Sequence, residues 1–415
     1  MQMLINAGQQ IKSMDAELME LNARAREEGK TYPKKRFIYS RVKKLLGGRA
    51  FIAIAGPRGA GKTVILRQLL SETESSFYIS LDARMPQSGI FEAAKELEAG
   101  GIKLLLLDEV HAYPGFDREL KKVYDFLKMK VVFTSSSAIE LRELSADLSR
   151  RAVLLSLPPF SLREYIWFEK GEELPPLSLK GLLDEKEARE YYGKTMHAEG
   201  MFEQYLKGRN YPFTMGNAEV LPLFRNMLDK ILGSDLVLRG RMSPEETMEA
   251  RKMVAFIGKA RAESISYSSL AKNLGITNYK AEKYVGLLER AFVLNKVMPK
   301  GTNVLREPKV LMSPPYRLLY MDYRDCIGAL REDFFVEMMV GLGYYPYYLK
   351  SERGRKMPDY AIGETVFEIG GVNKGKGQFK NFPAQKRVIL TQPGALDTMK
   401  RPLYFAGMLE EKPGA

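Results

Sequence analysis

The stretch Phe51-Ile52-Ala53-Ile54-Ala55-Gly56-Pro57-Arg58-Gly59-Ala60-Gly61-Lys62-Thr63-Val64 passes from an apolar run through a glycine-rich turn into a helix-forming run that continues to Leu70. Gly56 to Thr63 matches the P-loop pattern in full, and a strand before it with a helix after it is the context that pattern requires. The glycines let backbone N–H groups turn inward around a β-phosphate, and the helix N-terminus adds partial positive charge. Gly56, Pro57, Arg58, Gly59, Ala60, Gly61, Lys62, Thr63 and Val64 are therefore expected to cradle ATP. Lys62 is expected to reach the β- and γ-phosphates, and Thr63 to place its hydroxyl on Mg²⁺.

A second run supports the first. Leu104-Leu105-Leu106-Leu107-Asp108-Glu109 is four apolar residues ending in two carboxylates. A buried strand ending this way directs Asp108 to the metal shell and Glu109 to an attacking water, the arrangement for hydrolysis. Val131–Phe133 leads into Thr134-Ser135-Ser136-Ser137, where a hydroxyl, assigned to Ser136, positions water or the γ-phosphate or else caps a helix. Arg150-Arg151 precedes the next apolar run. An arginine there either acts in trans on a neighbour's nucleotide or is a solvated basic pair.

Working outward, short apolar runs at Ala50–Ala55, Ser76–Leu81, Lys103–Leu107, Lys130–Phe133 and Val153–Leu157 alternate with helical stretches. That alternation predicts a parallel α/β sheet with crossover helices. The expected organisation is an N-terminal packing helix at 1–35 carrying Ile11, Met14, Leu18 and Leu21, an α/β core at 36–165, and a helical lid or linker at 166–261. Beyond these, 262–317 has the spacing of a helix–turn–helix with a β wing, and 318–411 a second α/β pattern.

Several blocks in order resemble the prokaryotic AAA-type ATPase family that carries a C-terminal domain of unknown function. They are Arg36-Phe37-Ile38-Tyr39, Gly56–Thr63, Asp108-Glu109-Val110-His111 with Pro114, Leu120 and Tyr124, then Arg150-Arg151 and Pro159-Phe160-Ser161-Leu162-Arg163-Glu164-Tyr165. The resemblance spans about Arg36 to Leu390. It implies a multidomain α/β protein: a P-loop (AAA/ASCE) parallel sheet with helical lid, a winged helix, and an endonuclease-like C-terminal α/β domain. Arg150 stands where the family usually has glycine, so the role in trans is carried onto Arg151, with a ring or other homo-oligomer implied. The family tolerates many residues at His111, which is given no catalytic role.

In the winged-helix segment, Asn278, Tyr279, Lys280, Lys283 and Tyr284 are expected on the exposed side of the second helix, and Lys296, Lys300, Asn303 and Arg306 on the wing, as contacts to DNA. Such segments also serve as protein-contact modules. Farther on, Pro358-Asp359 and Glu368-Ile369-Gly370 echo the Pro-Asp…Glu-x-Lys constellation of endonuclease-like folds, with Glu337 as a further carboxylate. Gly370 replaces the lysine; Lys374 or Lys376 is the candidate to reach back. The site is expected to be altered, and the basic residues Lys350, Arg353, Arg355, Lys356, Lys374, Lys376, Lys380, Lys386 and Arg387 suit docking of nucleic acid or a solvated surface.

The 415 residues carry 64 Lys+Arg against 51 Asp+Glu, a formal charge of +13 that is compatible with DNA as partner. One cysteine, Cys326, and two isolated histidines, His111 and His197, exclude a disulfide framework and a Cys- or His-rich metal centre. Neither a signal-peptide core nor a membrane-length apolar run is present, so a cytoplasmic location without membrane contact is expected. Hydrolysis of ATP with Mg²⁺, coupled to DNA binding, remodelling or translocation, is the leading expectation. A nucleotide-dependent switch or scaffold, and an ATP-gated nuclease, are the alternatives.

Overall fold

The apolar run at 51–55 forms strand β1 (Phe51–Ala55), buried at every residue. It lies in a five-stranded parallel sheet with β2 (Ser76–Ser80), β3 (Leu104–Asp108), β4 (Lys130–Ser135) and β5 (Ala152–Ser156), in the order β2-β3-β4-β1-β5. This computed structural model describes residues 15–136, 150–238, 240–261, 265–301, 307–349, 357–379 and 386–412. Ile11, Met14, Ser137, Asn303, Arg306, Lys350, Arg353, Arg355, Lys356 and Lys380 lie outside the described residues.

The sheet is covered on both faces, which is why its central strands are continuously apolar. Phe51, Ala53, Leu105 and Leu107 point to one side, against α4 (Ile90–Ala99) and α5 (Phe116–Phe126). Ile52, Ile54, Leu104 and Leu106 point to the other, against α2 (Ile38–Leu45) and α3 (Lys62–Glu72). Helix α1 (Ala16–Lys30) closes onto α3 at Gly29, where a Cβ would stand 2.1 Å from the Arg67 carbonyl oxygen. Only glycine permits that approach.

The chain divides into two compact units, 1–158 and 159–415. In the second, one apolar core draws on α6 (Leu162–Lys170), α7 (Glu185–Thr195) and α8 (Ala198–Gln204), and on a later helix and the C-terminal sheet described next. Ahead of that sheet, α9 (Pro244–Lys259) precedes α10 (Tyr267–Leu274), a left-handed turn at Gly275, α11 (Asn278–Arg290), and an antiparallel pair of β6 (Leu294–Val297) and β7 (Lys309–Met312). Helix α12 (Tyr323–Gly341) then packs Phe334, Phe335, Met338 and Met339 into the core. The closing sheet has the order β12-β11-β10-β9-β8, with β8 (Tyr347–Tyr348), β9 (Tyr360–Ile362), β10 (Thr365–Gly370), β11 (Lys386–Thr391) and β12 (Lys400–Pro402). β9 is antiparallel to β8 and β10, whereas β10, β11 and β12 are parallel.

Among the described residues no helix is long and apolar enough to cross a membrane.

Candidate nucleotide site

Because β4 is inserted between β1 and β3, the C-terminal ends of these three strands adjoin, and each delivers one part of the site. β1 delivers the P-loop. Gly59 and Gly61 hold φ of +78° and +95°, conformations open to glycine at little cost. Gly56 passes so close to β5 that a Cβ would lie 2.2 Å from the Leu157 carbonyl oxygen. Arg36, itself buried, braces the loop by donating to the Ala60 carbonyl at 2.5 Å and the Pro158 carbonyl at 2.9 Å.

Lys62 is the first residue of α3 and is 4% exposed. Its Nζ donates to the carbonyls of Gly56 at 2.9 Å and Pro57 at 3.0 Å, and lies 4.0 Å from Glu109 Oε1. Burial draws the ammonium down from its ordinary range, against the stabilising charges of Glu109 and Asp108.

Asp108 closes β3, almost fully buried. Tyr78 donates its hydroxyl to Oδ2 at 2.9 Å and Thr134 donates to Oδ1, and Thr63 lies close enough to favour the charged carboxylate. Burial pushes the Asp108 carboxyl up, an effect opposed by Thr134, enhanced by the adjacent Glu109 charge, and further opposed by Thr63 and Tyr78. Thr63 and Asp108 thus meet as two hard oxygen donors, the chemistry that Mg²⁺ takes.

Glu109 sits at φ +52°, a left-handed conformation that costs a non-glycine residue about 1–2 kcal/mol. The turn is held by the Glu109 N–H on Thr134 Oγ1 at 3.0 Å and by the Ala112 N–H on the Glu109 carbonyl at 2.9 Å. Oε2 of Glu109 accepts the Ser136 N–H at 3.0 Å and stands 3.0 Å from His111 Nδ1, which is also 3.2 Å from Ser135 Oγ. An ionised carboxylate only accepts, so Nδ1 carries the proton. Burial alone would raise the Glu109 carboxyl; the His111 hydrogen bond and the charges of Lys62, His111 and Arg58 outweigh it and hold the group well below the usual carboxylate range. The Ser136 Oγ is buried without a hydrogen-bond partner among the described residues.

His111, which the motifs give no catalytic role, and Thr134, one of the four candidate hydroxyls, both reach the site, as does Tyr78, which no motif singles out. His111 lies on a short turn after the carboxylate pair, and nothing in its spacing announces the fold back onto Glu109. Arg151 stands elsewhere, just ahead of β5, the neighbour of β1, at the end of the strands opposite the P-loop. It pairs with Asp125 at 3.0 and 3.2 Å and lies over the Tyr124 ring.

Two expectations for the second unit are corrected. Lys280 is ion-paired with Glu249 at 2.9 Å and Lys283 with Glu246 at 2.7 Å, while Tyr284 is buried with its hydroxyl on Glu249. The basic side of α11 therefore faces carboxylates on α9, because α9 packs where an exposed face was expected; Tyr279 remains outside, 77% exposed. Lys296 is likewise paired, with Glu289 at 2.9 Å. Glu337 does not join Asp359 and Glu368. It is buried against Ser313, which donates to it, and Asn210, and burial pushes it up to about 7. Glu332, nearer the start of α12, is the helix carboxylate whose charge acts on Asp359 and Glu368.

The chain is 28% identical over 339 residues to an uncharacterised protein of Methanocaldococcus jannaschii, covering 72% of this chain and 71% of that one. A solved structure, the Walker-type ATPase of Pyrococcus abyssi, is similar at 15% identity and a TM-score of 0.40, covering 69% of this chain and 95% of that one. The segment bearing the P-loop, Asp108 and Glu109 matches the family described as the AAA domain over residues 48–166.

Proposed function

We propose that this chain hydrolyses ATP. The observation that carries the proposal is the convergence of Lys62, the Thr63–Asp108 pair and Glu109 at the adjoining ends of β1, β3 and β4. Mg²⁺ held by Thr63 and Asp108 would offset the charge on the β- and γ-phosphate oxygens. Lys62 turns from the Gly56 and Pro57 carbonyls to the phosphates. Glu109, kept ionised by its neighbours, orients and polarises the attacking water, and Ser136 Oγ offers its unsatisfied hydroxyl to the γ-phosphate or that water.

Arg151 is too far along the sheet to act on the nucleotide of its own chain. Its proposed role is in trans, in an assembly of copies of this chain, once it leaves Asp125. DNA remains a proposed partner on net charge, with Lys280, Lys283 and Lys296 already neutralised within the chain. The clamp on Glu109 by His111 and Ser136 also favours a second reading, a slow nucleotide-dependent switch. Single-turnover phosphate release separates the two: catalytic turnover supports a motor, and tight retention of unhydrolysed ATP supports the switch.

A further inference from the structure

The carboxylate at the end of β3 is held from both sides. β3 lies between β2 and β4, and each neighbour gives Asp108 one hydroxyl: Thr134 of β4 donates to Oδ1, and Tyr78 of β2 donates to Oδ2 at 2.9 Å. All three side chains are buried. A carboxylate with one donor on each oxygen cannot turn about its last bond without breaking a hydrogen bond. Each oxygen still keeps a lone pair for an ion or for one of the ion's waters.

Tyr78 is itself fixed by the N-terminal helix. β2 ends the sheet on one side, and the outward backbone groups of such a strand need partners. Helix α1 provides them. Asn22 Oδ1 accepts the Tyr78 N–H at 2.9 Å, and Arg26 Nη2 donates to the Ser76 carbonyl at 2.8 Å. Arg26 Nη1 donates in addition to the Thr73 carbonyl at 3.0 Å, just ahead of the strand. These bonds set where Tyr78 sits along the edge.

The same helix reaches the ring. Glu28 of α1 accepts from Arg67 of α3, and the Arg67 guanidinium lies 6.0 Å from the centroid of the Tyr78 ring. Tyr78 is thus gripped at its backbone by Asn22 and at its ring through Glu28 and Arg67. Its hydroxyl passes that placement on to Asp108. A core position that needed only bulk would be filled as well by phenylalanine; the hydroxyl at 78 is accounted for by the carboxylate it meets.

We propose that Tyr78 is a positioning residue for the Mg²⁺ of the nucleotide, and that α1 sets the metal affinity of the site through it. The inference rests on the hydrolysis reading above, in which Asp108 and Thr63 hold the ion. It brings a helix outside every motif segment into control of the site: a change on α1 alters how firmly Asp108 faces the ion and leaves the P-loop untouched. Hydrogen bonds that orient a metal ligand in this way commonly carry about 10–100-fold in metal affinity.

The test is equilibrium binding of the β,γ-imido analogue of ATP to the full chain, in chelator and as Mg²⁺ is titrated. Wild type should bind the analogue more tightly as Mg²⁺ is added. In Tyr78→Phe the Mg²⁺ midpoint should rise at least about tenfold, with the affinity in chelator as in wild type. Asn22→Ala should move the midpoint the same way by a smaller factor, and it decides the matter even if Tyr78→Phe does not fold. A merely structural role would lower the affinity in chelator and in Mg²⁺ alike; that result overturns the proposal, as does a wild-type midpoint in Tyr78→Phe. A shift in Tyr78→Phe with none in Asn22→Ala overturns the part given to α1. A wild-type chain that binds the analogue and ignores Mg²⁺ overturns the inference together with the metal assignment. Failure to hydrolyse ATP with the Mg²⁺ response intact overturns the hydrolysis reading alone.

Discussion

His111 Nδ1 stands 3.0 Å from Glu109 Oε2, and the same oxygen accepts the Ser136 N–H. The carboxylate that should address water is therefore restrained by a side chain two residues away and by the end of the neighbouring strand. The histidine lowers the basicity of Glu109 as it fixes its direction, so the two effects on the rate oppose each other. His111→Ala should lift the Glu109 carboxyl toward its ordinary range, moving the acid limb of the kcat–pH profile upward, with kcat changed by less than about tenfold. Steady-state phosphate release between pH 4 and 8 checks this; an unmoved acid limb shows that the contact is incidental.

Ser136 makes a separate prediction. Its Oγ, buried and without a partner among the described residues, costs the folded state something unless nucleotide or water satisfies it. Ser136→Ala should leave the melting temperature of the nucleotide-free chain unchanged or raise it, while lowering kcat by about 10–10². Equal kcat in the two proteins removes Ser136 from the mechanism.

Buried charge in the second unit sets its stability. Arg317 donates from Nη2 to Asp333 Oδ1 at 3.1 Å and from Nη1 to the carbonyls of Ile257 at 3.0 Å and Ala260 at 2.9 Å. Asp333 also accepts the Met312 N–H at 3.1 Å. Arg317→Met leaves the aspartate buried and unpaired, at a cost of about 3–5 kcal/mol. Arg317→Met combined with Asp333→Leu should recover part of that loss. Urea denaturation of both proteins measures the difference.

Glu337 predicts a dependence on pH. Its carboxyl is raised to about 7 by burial, so between its unfolded value and about 7 the folded state binds more protons than the unfolded state. Stability from this group is therefore complete below the unfolded value and falls as pH rises through about 7, by up to about 3 kcal/mol. Glu337→Gln should flatten that part of the profile; an identical slope in both proteins assigns the dependence to other groups.

The ion pairs of α11 predict what DNA binding should not show. With Lys280 on Glu249 and Lys283 on Glu246, neither lysine has a charge to spare for phosphate. Lys280→Ala and Lys283→Ala should leave the salt dependence of any duplex affinity as it is in wild type. A slope reduced by about 0.9 per substitution would show that α11 meets the backbone.

How much of this was legible in the sequence follows from locality. The P-loop and the Leu104–Glu109 run are contiguous, and period and composition alone place them on strand ends; β1 to β4 fall within a residue or two of the predicted runs. His111 folding onto Glu109 depends on a left-handed residue in a turn, which no periodicity announces. The fate of Lys280 and Lys283 depends on α9, more than thirty residues upstream, and a charged face reads the same whether it meets solvent or carboxylates. Glu332 was passed over for Glu337 because both lie on α12, and which face of a largely buried helix meets β9 and β10 is decided by packing.

The central claim is that the convergence of Lys62, Asp108 and Glu109 is a centre for ATP hydrolysis. Phosphate release from ATP and Mg²⁺ by the wild-type chain, Lys62→Ala and Glu109→Gln tests it most directly. Turnover by wild type that falls at least about 10²-fold in both variants, with nucleotide still bound by Glu109→Gln, is the predicted result. Release at the wild-type rate from Lys62→Ala would contradict it.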